Sequence, residues 1–493
     1  MKKHSRLLFL LPVLPLLLLL LVLVESPNPD ASIRSIWDAL WYAMVTLTTV
    51  GYGDTFPVTP VGRAIGLVFL LMSITALAAL IQATSGFLRK EWPCLRLRLH
   101  RRERLCVFSQ VTPEALALAR DLQNSQPGML PVFCRSDTSL PRALCVPLTP
   151  PEVSQRLRPA PVPFFLMSSD RQTNEQDAAE LGTSHPLYVR GSENPALPHA
   201  RFFDDRRCCA RGYWQDHPLE NSEKTVLLIG DGELATALLE EALLSGCRSP
   251  FHPTVFHLCG NWQTWRMLHP ALPGILGAET PVFHDMPDPG LCLEADRILF
   301  CGDDPEENSR LHVLYETCLP LEANIHLYAL SPSLRETFGA PESVFTRRLV
   351  LHEDLDARAR SIHESYIRRH GGTAWADLSP FLKASNRAAA DHILTKVRLL
   401  LPQDPPRILT PDVCREAFRK WQALSDRDRY RRCEHERWMR FYALYNWRYG
   451  TEKNSRLRTH PSFLPYGELS EEEKAKDDLA WAQIGQLFPA DRT

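Results

Sequence analysis

Two glycines separated by a single residue, Gly51 and Gly53, constrain this chain more than any other feature. They lie in the stretch T-T-V-G-Y-G-D over residues 48–54. Glycine has no Cβ and adopts positive φ at little cost, so glycine at alternate positions lets successive carbonyl groups turn toward one side. A row of backbone carbonyls can replace the water shell of a cation. The stretch therefore predicts a loop that binds cations through its backbone.

The twelve residues before this loop, 36–47, are rich in aromatic residues and contain neither Gly nor Pro. They predict a short re-entrant helix, which is tolerated at membrane depth where protein surrounds it. Helix and loop together resemble the pore of the potassium-channel family, whose selectivity filter reads T-V-G-Y-G. The resemblance implies that K⁺ binds to the backbone of the filter residues Thr49, Val50, Gly51, Tyr52 and Gly53. It also implies that Trp41 donates its indole N–H to Asp54 and so supports the filter. Val45 stands where many bacterial members have Glu, so the family's usual route to filter inactivation is not expected.

Apolar segments flank the filter on both sides, at residues 7–24 and 61–88. Each is long enough to cross a bilayer. Lys and Arg cluster at residues 2–6 and 89–104, which by the positive-inside rule places both termini in the cytosol. A cleaved signal peptide is the alternative for the first segment, but no small-x-small site follows it. We therefore expect a pore module over residues 1–90, in the inner (plasma) membrane and in contact with the lipid bilayer.

Two spans and one loop cannot enclose a pore alone, so the filter implies a homotetramer with closed symmetry. In related channels a glycine midway along the inner helix is the gating hinge. Alignment from Gly62 and Arg63 places Ser73 there, and we take Ser73 as the candidate gating residue. A serine can bend a helix through its hydroxyl, but it is less permissive than glycine. The position of the gate stays open.

Most of the 493 residues lie outside the pore module, and the mean hydropathy is −0.21. The net charge of −2 gives no overall attraction to nucleic acid. The thirteen cysteines have no C-x-x-C spacing, which indicates reduced thiols in the cytosol. Cys208 and Cys209 are adjacent, and a redox or metal role there is the alternative to two ordinary thiols.

Short apolar runs alternate with helical stretches from residue 103 onward, which favours a doubly wound parallel sheet. Two such Rossmann-like units in tandem after an inner pore helix resemble the regulator-of-potassium-conductance (RCK) domains of ligand-gated potassium channels. The two lobes are expected at residues 100–205 and 222–370, with a helical tail over 344–366. The predicted strands are Leu105–Phe108, Leu130–Cys134, Pro163–Met167, Leu187–Val189, Thr225–Ile229, Val255–Leu258, Arg297–Phe300 and Asn324–Tyr328.

The second lobe carries G-x-G-x-x-A, with Gly230 and Gly232 in a strand-turn-helix context. This is the pattern of a dinucleotide site. The second strand, however, lacks the acidic residue that would hold the ribose, and the first lobe lacks the glycines. Tight strand-helix packing is therefore the favoured interpretation, and a bound nucleotide the alternative. An acidic cluster follows a strand and predicts a solvated helix start, with calcium as the alternative; it comprises Asp303, Asp304, Glu306 and Glu307.

A helical connector over 375–401 and a proline-rich linker precede the last domain, at 410–488. Its E-H-x-x-W, W-x-Y-G, H-P-x-x-x-P-Y-x-x-L and E-K-x-x-D pieces resemble the RyR domain, the repeat named after the ryanodine receptor. Aromatic and basic side chains there could stack a base and pair phosphates, while the alternative places the aromatics in the core and the arginines on a solvated face. The ligand candidates are Trp438, Trp447, Tyr449, Lys453 and Tyr466, with Arg437, Arg440, Arg448 and Arg456 beside them.

The predicted fold is thus a two-span α-helical membrane pore, tandem α/β Rossmann-like lobes, and a small, mainly helical RyR domain. The predicted function is a potassium-selective channel gated by a small cytosolic ligand of nucleotide type. No catalytic residue, and no metal beyond K⁺, is assigned. A second hypothesis makes the same channel a defence effector that depolarises the membrane. A third, from another class, makes the soluble part a membrane-tethered NAD-binding enzyme.

Overall fold

The computed structural model describes residues 13–86, 92–100, 103–135, 140–157, 161–320, 324–329 and 336–487. The chain divides into two compact units. The first comprises residues 1–102 and 144–147, and the second comprises 103–143 and 148–493. Among the described residues, no helix combines the length and apolar character needed to cross a membrane.

The first unit is helical, and its helices match the predicted pore module in order. They are α1 (Val13–Glu25), α2 (Ile36–Leu47), α3 (Pro60–Gly86) and α4 (Trp92–Leu99). Residues 7–12 and 87–88 of the predicted spans lie outside the described residues. Ser73 lies within α3, but its side chain is not among those described. The three helices before α4 share a core formed by Leu18, Leu21, Ile33, Ala39, Ala43, Ile65 and Phe69.

The start of α2 is fixed by its own sequence. Ser35 is the N-cap and accepts from the amide of Asp38, whose carboxylate accepts from the amide of Ser35 in return. This reciprocal capping box satisfies two amides that the first helical turn leaves unpaired. The structure has a helix with the bounds predicted from the sequence, Ile36–Leu47.

The second unit begins with a lobe of alternating strands and helices. Its elements are β1 (Arg104–Phe108), α5 (Pro113–Ser125), β2 (Met129–Cys134), α6 (Pro150–Ser154), β4 (Phe164–Leu166), α7 (Arg171–Leu181), β5 (Leu187–Arg190), β6 (Ala200–Phe203) and α8 (Asp205–Asp216). The strand β3 (Leu144–Val146) lies between β2 and α6 in the chain and belongs with the first unit. The strands of the second unit run parallel in the order β2-β1-β4-β5-β6.

A second lobe repeats this plan with all-parallel strand pairs in the order β12-β11-β10-β7-β8-β9. Its elements are β7 (Thr225–Ile229), α9 (Glu233–Ser245), β8 (Val255–Cys259), α10 (Gln263–Leu268), α11 (Leu272–Leu276), β9 (Val282–His284), α12 (Pro289–Glu294), β10 (Arg297–Phe300), α13 (Pro305–Tyr315), β11 (Asn324–Tyr328), β12 (Glu336–Phe338), α14 (Pro341–Val344), α15 (Arg347–Val350) and α16 (Ala357–His370). The central strand β10 is buried along its whole length, as a strand covered on both faces must be.

The chain ends in a helical segment with one small strand pair. It contains α17 (Pro380–Asp391), α18 (Ile393–Leu400), α19 (Pro411–Ala423), α20 (Asp428–Leu444), β13 (Arg448–Tyr449), β14 (Thr459–His460) and α21 (Glu471–Ala482). Short 3₁₀ helices occur at Gly277–Glu279, Glu316–Cys318, Asp354–Asp356, Trp375–Asp377, Tyr466–Glu468 and Gln483–Gln486.

The predicted connector and the predicted last domain share one hydrophobic core. Ile393 and Val397 of α18 pack in the same cluster as Trp421 of α19 and Trp481 of α21. Ile362 of α16, in the tail of the second lobe, joins them. The proline-rich linker at 402–410 therefore connects helices that pack together.

Candidate functional site

The loop at residues 48–54 has positive φ at every second position. The φ angles are 61° at Thr49, 60° at Gly51 and 75° at Gly53. The positive φ angles of Gly51 and Gly53 agree with the prediction from the sequence. Thr49 was not anticipated, because an L-residue in this region costs about 1–2 kcal/mol. Positive φ at every second residue turns the peptide groups, so that successive carbonyl groups can point toward one side of the loop.

Hydrogen bonds to the end of α2 hold the start of this loop. The amides of Val50 and Gly51 both donate to the carbonyl of Val45, at 3.0 and 3.3 Å. The Thr48 hydroxyl donates to the carbonyl of Met44 at 2.7 Å. The C-terminal carbonyls of a helix carry partial negative charge. The loop therefore begins at an end of α2 that favours a cation.

Trp41 and Asp54 form the hydrogen bond that the family resemblance implies. The indole Nε1 donates to Asp54 Oδ2 at 2.8 Å. The same indole stacks on the ring of Tyr52, with centroids 6.0 Å apart and planes 4° apart. Trp41 therefore holds the loop at two points beyond Gly51. Within one chain, Trp41 and Tyr52 are nevertheless 49% and 67% exposed.

Glu25 is a supporting residue that sequence reasoning missed. It lies at the end of α1 and is fully buried. Its carboxylate accepts from the amides of Val58 and Thr59, both at 3.0 Å, and from the Thr59 hydroxyl. A Cβ at Gly62 would approach Glu25 Oε1 to 1.8 Å, so the glycine makes room for this carboxylate. An acidic residue directly after an apolar run was the available signal.

In the second lobe, protein atoms occupy the space beside the glycine turn. Gly230 has φ 132°, and a Cβ there would come within 2.3 Å of the Gly302 nitrogen. Asp303 lies where a phosphate would approach α9, since its carboxylate accepts from the amides of Glu233 and Leu234 at 2.8 and 3.0 Å. A Cβ at Gly232 would approach that carboxylate to 2.2 Å. Close packing thus accounts for both glycines.

The remaining carboxylates of the acidic cluster cap α13 or form ion pairs on it. Asp304 is the N-cap of α13 and accepts from the amide of Glu306 at 2.9 Å. Glu307 and Glu306 both form ion pairs with Arg310. The prediction of an acidic helix start is therefore confirmed for these residues, whereas Asp303 turns to α9 instead.

The ligand candidates in the C-terminal segment do not form one group. Trp447 and Tyr466 are buried, and the Tyr466 hydroxyl donates to Asp428 at 2.8 Å. Trp438 is half-buried and packs on Tyr442, with centroids 4.2 Å apart. The remaining two candidates, Tyr449 and Lys453, are exposed. For the first three residues the structure therefore matches the core alternative.

Two of the arginines beside these aromatics are buried, which contradicts the alternative that placed the arginines on a solvated face. Arg437 pairs with Glu434, with Nη2 2.7 Å from Oε1, and Arg440 pairs with Glu279. Burial would raise the pKa of Glu434, but Arg437 and Lys396 outweigh it and hold that pKa below its usual range. The guanidinium groups of Arg437 and Arg440 are already paired with carboxylates, whereas Arg448 and Arg456 are exposed.

A cavity of ≈ 690 Å³ lies in the second lobe, beside α10 and α11. It is lined mainly by apolar side chains, with a single arginine and one histidine among them. The guanidinium of Arg266 lies over the ring of Phe283, 4.7 Å from its centroid. The helix α11 on its wall also contacts α20 of the C-terminal segment. The principal lining residues are Trp265, Arg266, His269, Leu272, Leu276 and Phe283.

Comparison with known proteins gives a family match and several relatives. A family model described as an ion channel matches residues 14–90. The chain is 52% identical over 68 residues to a voltage-gated potassium channel of Aeropyrum pernix, an alignment covering 14% of this chain and 23% of that one. It is 33% identical over 75 residues to the calcium-gated potassium channel TvoK of Thermoplasma volcanium, covering 15% and 20% of the two chains. The chain therefore spans less than a quarter of either relative.

Among solved structures, the channel GsuK bound to ADP aligns with 70% of this chain and 97% of its own. The sequence identity is 16% and the TM-score is 0.34. The range matched by the ion-channel family model, residues 14–90, contains the loop at 48–54 and its supporting residues.

Proposed function

We propose that this chain forms a potassium-selective membrane channel whose pore is built by four copies. The carbonyls of residues 49–52 bind dehydrated K⁺, and Gly53 completes the filter. The observation that carries this proposal is the alternation of positive φ at Thr49, Gly51 and Gly53. It is supported by the 52% identity to a potassium channel over 68 residues. Trp41 and Asp54 keep the filter at a fixed width.

The exposed surface of the filter segment supports assembly of several copies. In one chain the side chains of Trp41, Val50 and Tyr52 are about half exposed or more. Aromatic and aliphatic side chains of this size gain roughly 1.5–3 kcal/mol each on burial. Neighbouring copies that close a ring around the ion path would cover these side chains and supply the remaining carbonyl ligands.

The second unit senses a small ligand in this proposal, and the cavity beside α10 and α11 is its binding site. A volume of ≈ 690 Å³ suits a ligand of nucleotide size, and Arg266 offers a charge for an anionic group. Because α11 also contacts α20, a ligand there acts on the contact between the second lobe and the C-terminal segment. The ligand changes the pore only as far as its affinities for the open and closed states differ. The turn at Gly230 and Gly232 is a poorer site, since Asp303 fills its anion position.

Flux through purified protein in liposomes tests the pore. We expect uptake of K⁺ in preference to Na⁺, and we expect Gly51→Ala to abolish the preference because φ there is 60°. Gly86→Ala is the matched control, since a Cβ at Gly86 would meet no atom of the described residues within 4 Å and its φ is not positive. Equal flux of both ions through the unmodified protein would refute the filter assignment.

A panel of nucleotides and Ca²⁺, added to the same liposomes, tests the ligand. We expect a nucleotide-dependent change in flux that Arg266→Ala weakens. Lys453→Ala changes the exposed candidate in the C-terminal segment instead. A response lost in Lys453→Ala and kept in Arg266→Ala would move the ligand site to that segment while leaving the pore assignment intact.

A further inference from the structure

Three side chains that could hold a metal ion converge at the edge of the second sheet. His217, His326 and Glu336 place one ligand atom each within 4.8 Å of one another. His326 lies on β11 and Glu336 on the edge strand β12, and the parallel register pairs these two residues directly. His217 caps the C-terminus of α8, so the chain brings in the third group from a different element.

The tautomer of His326 directs a lone pair into this group. Its Nε2 lies 2.8 Å from Asn324 Oδ1, and an amide oxygen accepts, so Nε2 carries the proton. The other nitrogen, Nδ1, therefore has a lone pair, and it lacks a hydrogen-bond partner among the described residues. Histidine ligands of metals commonly donate their second N–H to an oxygen in this way. The residue is 1% exposed, so water cannot readily satisfy Nδ1.

Both imidazoles lie close to the carboxylate of Glu336. Nδ1 of His326 is 3.8 Å from one carboxylate oxygen of Glu336, and Nδ1 of His217 is 3.5 Å from the other. A cation placed between the imidazole nitrogens and the Glu336 carboxylate would be bound by all three side chains.

The nearby positive charge of Arg297 does not prevent such a cation. Arg297 is buried and pairs with both oxygens of Glu223, each at 2.8 Å, so its charge is largely compensated. The ring of Tyr213 lies 5.0 and 5.3 Å from the two imidazole centroids, and its hydroxyl accepts a hydrogen bond from Arg297 at 3.3 Å. Glu336 is 55% exposed at its side chain, which leaves an entry path from water.

We infer that His217, His326 and Glu336 form a binding site for a divalent transition-metal ion of the Zn²⁺ type. Two imidazoles and one carboxylate, with a fourth position open to water, suit Zn²⁺. Tetrahedral ligands of Zn²⁺ lie about 3.3 Å apart, whereas the three ligand atoms lie within 4.8 Å of one another, so the side chains must move closer together to bind the ion. The ion joins the end of α8 to β12. This inference does not depend on the channel function.

Metal binding by the full-length protein in detergent, after removal of metals by a chelator, tests the site. We expect one Zn²⁺ per chain by competition with a chromophoric chelator. Glu336→Gln is expected to weaken binding at least tenfold, and because this side chain is half exposed the variant should fold. Asn324→Ala removes only the partner of Nε2 and is expected to weaken binding about 10–100-fold.

His284→Gln is the matched control for loss of an imidazole. His284 lies on the other edge of the same sheet and contacts His257 at 2.9 Å, outside the proposed site. We expect its affinity for Zn²⁺ to equal that of the unmodified protein. Co²⁺ in place of Zn²⁺ reports the donors, since thiolate ligands from the thirteen cysteines add a near-ultraviolet charge-transfer band. Binding that shows this band, or that survives Glu336→Gln and His326→Gln unchanged, would overturn the inference.

Discussion

Asp303 accepts a hydrogen bond from the amide of Glu233 at 2.8 Å, and thereby places a carboxylate of the chain at the N-terminus of α9. The N-terminus of a helix after a glycine turn is where an α/β fold usually receives a phosphate. Here the Asp303 carboxylate satisfies these amides and the partial positive charge at the N-terminus of the helix. The turn keeps the sequence pattern of a nucleotide site although its anion position is taken.

Removing that carboxylate should expose an anion site. We expect Asp303→Ala to bind NAD or inorganic phosphate measurably by calorimetry, whereas the unmodified protein does not bind them at this turn. The variant should also lose about 1 kcal/mol of stability through the missing helix cap. Asp304→Ala is the control, because Asp304 caps α13 instead and its loss opens no glycine turn. Equal binding by the unmodified protein would contradict this account.

Trp41 and Asp54 should act on ion selectivity as one unit. Trp41→Phe keeps a ring over Tyr52 but loses the 2.8 Å hydrogen bond, and Asp54→Ala loses the same bond from the other side. We expect both to lower the K⁺/Na⁺ permeability ratio in liposome flux. The double variant should be no worse than either single one, since both remove one interaction. Additive effects would show that the two residues act separately.

Gly62 should tolerate no side chain while Glu25 is present. A Cβ at Gly62 would lie 1.8 Å from the Glu25 carboxylate, so Gly62→Ala must displace that group from the amides of Val58 and Thr59. Overpacking of this kind costs about 1–3 kcal/mol. We expect a lower thermal midpoint in detergent for Gly62→Ala, and no change for Gly86→Ala. An unaltered midpoint in Gly62→Ala would show that Glu25 can move freely.

Arg211 should be one of the side chains most needed for stability in the second unit. It is buried between Asp391 and Asp356, with Nε 2.6 Å from the first and Nη1 2.7 Å from the second. Arg211→Met leaves the buried Asp391 without its guanidinium partner, while Asp356 keeps its ion pair with Arg387; breaking a buried pair typically costs about 3–5 kcal/mol. We expect this loss in denaturant unfolding. Arg310→Met, at an exposed ion pair, should change stability by less than about 0.5 kcal/mol.

Asp477 should make the C-terminal segment less stable as pH rises. Burial and the neighbouring Glu434 raise the pKa of Asp477 to about 8. The folded state therefore holds a proton that the unfolded chain loses near pH 4, and stability falls as pH rises from about 4 to 8. Asp477→Asn should flatten this slope in thermal unfolding measured across that range. The exposed Asp412→Asn should leave the slope unchanged.

The sequence was sufficient to predict the elements whose determinants are local. The capping box at Ser35 and Asp38 fixes α2, and the apolar runs at 225–229 and 297–300 become strands with the expected bounds. Shorter strands were missed because three or four residues with mixed polarity carry little periodic signal. These are Leu144–Val146, Ala200–Phe203, Val282–His284 and Glu336–Phe338.

Side-chain partners distant in the chain were the part that could not be predicted. Glu25 and Thr59 are 34 residues apart, and Arg440 and Glu279 are 161 apart, so no local pattern links them. Trp41 and Asp54 were predicted only through the resemblance to potassium channels. The arginines near Trp438 look solvated in sequence because a buried guanidinium is recognisable only when its carboxylate is known.

The shared core of the C-terminal helices has a consequence for any shortened form of this protein. Cys247 and Cys433 each direct a thiol at the other's carbonyl, and Arg440 neutralises the buried Glu279. A protein truncated after Leu401 would leave Glu279 without its counter-charge and expose the face of α18 that Trp421 and Trp481 cover. The C-terminal segment is thus an integral part of the folding unit, and we expect its removal to produce an aggregation-prone remnant.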